Sequence, residues 1–182
     1  SLTHIKTVTA SSSSTVSFVN GSSDVVLDNT YPIYLIKVIN AHRSTTSSEQ
    51  TFTFNLSADT GSNYNVTKTT TFFDARHGEG GSDAVLAYSA NRDLAQSTNF
   101  QMLAREVGNG DDETTSGTLH LFNPSSTTFV KHFIANGTGF VVDGGNPKQF
   151  TMYVAGYGNT TSAIDAVQFS MASGNIDAGT IK

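Results

Sequence analysis

The chain has no cysteine and no tryptophan, and charged residues fill only 14% of its 182 positions. Without cysteine there is no disulfide scaffold, no thiolate metal site and no cysteine nucleophile, and the redox compartment stays open. Ten Lys and Arg residues face fifteen Asp and Glu, a formal net charge of −5. That balance lacks the basic footprint a phosphate backbone demands, so nucleic acid is not an expected partner. No apolar run approaches the ~20 residues of a bilayer-crossing helix, and no signal-peptide pattern opens the chain. A start at Ser1 fits loss of an initiator Met and cleavage of a leader equally well.

The polar positions are mostly Ser, Thr, Asn and Gly, interleaved with twelve Phe and six Tyr. In QTFTFNLSA, Phe52, Phe54 and Leu56 alternate with Thr53, Asn55 and Ser57, the period of a strand with one core face and one wet face. YPIYLIKVIN, from Tyr31 to Asn40, is apolar on both alternating sets and is expected to be buried on both sides. A Thr-rich strand is expected to end at Phe72 and Phe73, with an exposed loop from Asp74 to Asp83. Phe100, Leu103, Ala104 and Val107 fall at helical spacing between Ser97 or Thr98 as cap and Gly108 as stop, which predicts one short helix. GTLHLFNPSSTTFVKHFI reads as a hairpin with Leu119, Leu121, Phe129 and Phe133 on one face and His120, Phe122, Val130 and His132 on the other. The expected fold is all-β: a single domain over residues 1–182, a β-sandwich or jelly roll of about eight to ten strands. Residues 1–23 form an N-terminal arm or the first strand.

No nucleophile elbow, HExxH, P-loop or dinucleotide signature is present, which points away from an enzyme and assigns no catalytic, cofactor or metal residue. His120 and His132 lack the third ligand that a zinc site needs. Asn109 to Glu113 has the oxygen-rich composition of a calcium loop without its alternating ligand spacing, and reads as a solvated loop. Glycosylation triplets begin at Asn20, Asn55, Asn65, Asn136 and Asn159, but such matches arise by composition in a chain this rich in Ser and Thr. Tyr31, Tyr34, Tyr64, Tyr88, Tyr153 and Tyr157, with the loops at 78–83, 109–113 and 143–146, leave a sugar-binding face open. Core or interface packing is the plainer reading of those tyrosines. A polysaccharide-degrading enzyme would need carboxylates such as Asp111 and Glu113 to flank a glycosidic bond.

GSNYNVTKTTTFF (Gly61 to Phe73), DLAQST (Asp93 to Thr98), LHLFNPSSTTFVKHFI (Leu119 to Ile134) and AGYGNTTSAIDAVQFSMASGNIDAGTIK (Ala155 to Lys182) resemble small virion-associated proteins of tailed phages of marine bacteria, including cyanophages. The likeness runs from Tyr31 onward. It implies a virion structural protein, assembled in the host cytoplasm, serving as capsid decoration, cement or fibre component. The implied partners are further copies of the chain, in a trimer, and other virion proteins such as the major capsid protein. A host-receptor or carbohydrate-binding module of a tail fibre is the alternative. The resemblance carries no catalytic residue. Relatives continue with a few apolar residues after a segment like Gly179 to Lys182, which implies a contact made beyond that point.

Overall fold

The computed structural model describes residues 2–44 and 50–182. Among these the chain forms twelve strands and no helix: β1 (Val8–Thr9), β2 (Val16–Val19), β3 (Ile33–Arg43), β4 (Gln50–Ser57), β5 (Lys68–Gly78), β6 (Val85–Tyr88), β7 (Gln101–Val107), β8 (Thr115–Phe122), β9 (Lys131–Asp143), β10 (Asn146–Gly158), β11 (Ala166–Met171) and β12 (Ile176–Ile181). They build two antiparallel sheets, one ordered β1-β12-β3-β8-β9-β10-β5-β6 and one ordered β2-β11-β4-β7. The all-β expectation holds, with more strands than the turn spacing suggested. Within residues 2–23, β1 lies in the first sheet and β2 in the second.

The pairing is nested. β1 pairs with β12, β2 with β11, β3 with β8 and β4 with β7. Hairpins β5–β6 and β9–β10 add strands to the first sheet only. The β9–β10 turn places Gly144 and Gly145 at φ of 57° and 81°, the two positive values a tight two-residue hairpin requires.

Aromatic rings hold the two sheets together. Phe54 of β4 meets Phe133 of β9 edge to face across the sheets at 5.1 Å between centroids, and within the narrow sheet Phe52 of β4 stacks on Phe169 of β11 at 5.8 Å. Phe72, Leu119, Leu121, Phe150 and Met152 fill the same core from the wide sheet.

Four expectations change. The segment expected to be helical is β7, whose buried residues Gln101, Ala104 and Val107 recur every third position. Register shifts against β4 and a positive φ at Glu106 insert bulges, and a bulged strand advances its buried face by three rather than two. Strand β5 runs on through Asp74, which is buried, so the loop is confined to the residues after Gly78. Phe129 is 69% exposed because the β8–β9 connection includes it.

The fourth change concerns β4. Its Thr53, Asn55 and Ser57 are as buried as its phenylalanines. Asn55 Nδ2 donates to the carbonyls of Tyr64 and Thr98, so the connections on either side of β5 and β6 close over it. Lys68, fully buried, donates from Nζ to Asn55 Oδ1 and to the Val66 carbonyl. Burial pushes the Lys68 amine down to about 8.

The folded state therefore sheds the Lys68 proton near pH 8 while the unfolded chain still holds it. Denaturant titrations should show stability rising from pH 8 toward pH 9.5, and the rise should shrink in Lys68→Met. Glu113 offers a second test. Burial raises its pKa, but backbone N–H groups of Val142, Gly110 and Asn109 and the charge of Arg43 outweigh that and hold it below the usual carboxylate range. Its contribution is complete above the ordinary carboxylate pKa and is lost as pH falls through the depressed value. Glu113→Gln should cost about 2–3 kcal/mol at neutral pH and remove part of the acid sensitivity, read by urea unfolding.

Candidate interaction face

The long strands of the wide sheet, β3, β5, β8, β9 and β10, each turn one face to the core and the other outward. The register aligns the outward residues into rows. One row runs Ile33, Phe122, His132, Tyr157, Thr69 across β3, β8, β9, β10 and β5. The next runs Leu35, His120, Ile134, Ala155, Thr71, and a third runs Lys37, Thr118, Asn136, Tyr153, Phe73, Tyr88.

Lys37 is the one formal charge in these three rows; the rest is aromatic, aliphatic, imidazole, hydroxyl or amide. Ile134 is 51% exposed, Leu86 on the edge strand β6 is 73% exposed, and Phe73 and Tyr153 are each 41% exposed. The expectation that Tyr31 to Asn40 would be buried on both sides is thereby corrected. Tyr34, Ile36 and Val38 enter the core, whereas Ile33 and Ile39 are open. The second sheet covers only one side of β3, and its apolar outward residues belong to this face.

Side chains on the face are organised among themselves. Phe73 and Tyr153 stack at 5.0 Å with planes 9° apart. His120 stacks on Phe122, and His132 tilts against Tyr157. Gln149 Nε2 donates to the hydroxyls of Thr138 and Thr151, and Thr118 donates to Asn136 Oδ1. These contacts hold side chains of the face against one another, an order that would lower the entropic cost of covering it.

The predicted placement of His120 and His132 on one face of the hairpin is what the structure shows. His120 stands opposite Ile134, two residues along β9 from His132. Among the described residues no group of three or more His, Cys, Asp or Glu side chains is arranged to hold a metal. Glu113, a carboxylate considered for sugar hydrolysis, points inward to backbone N–H groups, while Asp111 stays in solvent. The two do not face one another across a groove.

The tyrosines divide by environment. Tyr34 is buried and donates from its hydroxyl to the Asp28 carbonyl, while Tyr88, Tyr153 and Tyr157 lie on the outward face. Of the glycosylation triplets, Asn55 is buried with its amide engaged and Asn136 is on the open face.

Sequence reasoning missed a cluster between the sheets. Arg105 of β7 donates to Asp74 of β5 at 3.1 Å and to Glu106, and its guanidinium sits 4.6 Å above the Phe150 ring. Ser89 and Arg92 close the cluster from the β6–β7 connection. Each carboxylate is matched to a cation inside the protein, an arrangement that ties β5, β7 and β10 together. The sequence signal was a short charged stretch, Arg105-Glu106, in an otherwise uncharged strand.

Inward and outward residues of one strand should respond differently. Phe72→Ala and Phe133→Ala should each cost about 3–5 kcal/mol in urea unfolding. Phe73→Ala and Ile134→Ser should each cost about 1 kcal/mol or less, because solvent already reaches those side chains.

No protein-family model, no curated protein and no solved structure matches this chain.

Proposed function

We propose that the chain is a virion structural protein carried on the surface of a phage particle, as a decoration or cement subunit or a fibre component. It works by assembling with copies of itself, in a trimer, and by docking on other particle proteins such as the major capsid protein, without catalysis.

The observation that carries this reading is the outward face of the eight-stranded sheet. Monomeric proteins rarely leave a broad, contiguous apolar surface open, and one rimmed by polar residues marks a protein contact. Its near lack of charge limits the desolvation cost of covering it. Strand order adds support. With the hairpins β5–β6 and β9–β10 set aside, the remaining eight strands pair first with last, second with seventh, third with sixth and fourth with fifth. That nesting supports a jelly-roll reading of the sandwich, an architecture used by capsid and lectin domains alike. Fold alone does not choose between these uses.

The carbohydrate-binding alternative draws on the row Tyr153, Phe73, Tyr88, where three aromatic residues cross β10, β5 and β6. Sugar recognition uses ring faces, and Phe73 and Tyr153 turn their faces to each other. The protein-docking reading fits that geometry better.

Light scattering on the purified chain should report an oligomer that Ile134→Glu, at an exposed position, converts to monomer without loss of thermal stability. Purified particles should contain the protein, and reconstruction should place it on the capsid shell or the tail. A monomer at every concentration, together with absence from particles, overturns the proposal. Saturable signal on a glycan array, lost in Tyr153→Ala, would transfer the function to the alternative.

A further inference from the structure

One pair of buried polar side chains bridges the two sheets. Asn55 stands on β4 of the narrow sheet and Lys68 opens β5 of the wide one, and solvent reaches neither. Lys68 Nζ donates to Asn55 Oδ1 and to the Val66 carbonyl. A buried ammonium ordinarily faces a carboxylate. Lys68 makes no ion pair among the described residues, and burial is the cause that pushes its amine down to about 8. The charged neighbour in its register row is Lys131, across Gly158, which turns its own Nζ to the carbonyls of Phe129 and Thr160.

The Asn55 carboxamide is held with its oxygen toward that amine. Oδ1 also accepts from the Leu56 N–H, a fixed backbone donor on the atom where negative charge gathers if the carbonyl is attacked. Nδ2 donates to the carbonyls of Tyr64 and Thr98, which keeps the amide from turning over.

We propose that Asn55 and Lys68 are the site of an intramolecular isopeptide bond that joins the two sheets covalently. Neutral Nζ attacks Cγ and forms the new C–N bond. The Cγ–Nδ2 bond breaks, and the proton given up by Nζ passes to Nδ2, which departs as ammonia. The products are a secondary amide and one ammonia; nothing is oxidised or reduced, and no co-reactant is consumed. Free amides resist amines in water, but groups fixed in contact reach effective concentrations of about 10⁵ M or more. Because the amine titrates near pH 8, a neutral nucleophile is present under ordinary conditions. The reaction also removes a buried cation whose desolvation opposes the unreacted fold. The pH-dependent stability described above belongs to the unreacted chain, in which Lys68 still titrates.

The bond rests on this local geometry, whether or not the chain serves a phage particle, and its readout is mass. The 182-residue chain is held for several days at about pH 9, where the Lys68 amine is mostly neutral, and followed by intact mass spectrometry. The expected product is lighter than the sequence by one ammonia. Trypsin should no longer cut after Lys68, and should release residues 44–76 as one peptide in place of 44–68. Chymotrypsin, cutting at Tyr64, should leave the pieces that carry Asn55 and Lys68 joined.

Lys68→Arg keeps a cation at the site but not the nucleophile, and should stay at its full sequence mass. The linked parent should unfold at higher urea than the unlinked form and lose the rise in stability between pH 8 and pH 9.5. The parent's own mass decides the question even where the variant fails to fold. A parent that remains at its sequence mass, or one that loses ammonia while trypsin still cuts after Lys68, as a succinimide at an Asn-Gly step would allow, overturns the proposal.

Discussion

Eight strands packed against four share one core, and the difference in width governs the rest of the molecule. The narrow sheet covers one side of the wide one, through contacts such as Phe54 on Phe133. Beyond that cover the wide sheet must either pair its polar groups internally or present them to solvent. The first solution gives the cluster of buried Asp74 with the half-buried Arg105, Glu106 and Arg92, and the enclosed Lys68 amine. The second gives the open outward face.

Buried ions of this kind are weak contributors to stability, because desolvation offsets most of their attraction. Their geometric demands are strict, however. Arg105 reaches Asp74 only if β7 lies across β5 at one height, and the bulges that mimic a helical period in the sequence bring it there. Specificity of sheet docking is the role this arrangement fits. The outward face has the opposite character: its rows are held by ring stacking and hydroxyl bonds that could be exchanged for those of a partner at small cost.

Much of the architecture was legible in the chain. Alternation in β4, the β8–β9 hairpin and the double-glycine turn of β9–β10 are local signals, and local signals of period two survive in any tertiary setting. His120 and His132 were placed on one face for the same reason. The outward face was half legible. Apolar residues on both sides of β3 are visible in the chain, but apolar content does not fix burial, and Ile33, Ile39 and Ile134 are open in the structure. Conversely, Thr53, Asn55 and Ser57 look wet and are enclosed, because Asn55 bonds to carbonyls nine and forty-three residues away.

By itself, then, the sequence determined the class of the fold, the place of most strands and the poverty of charge, since each depends on composition or on neighbours a few residues apart. Which side of a strand meets solvent was decided by tertiary structure. So were the bulged path of β7 and the pairing of Asp74 with Arg105. Those features depend on which segments meet across the sheets, and side-chain alternation carries no information about what will cover a face once the chain has closed on itself.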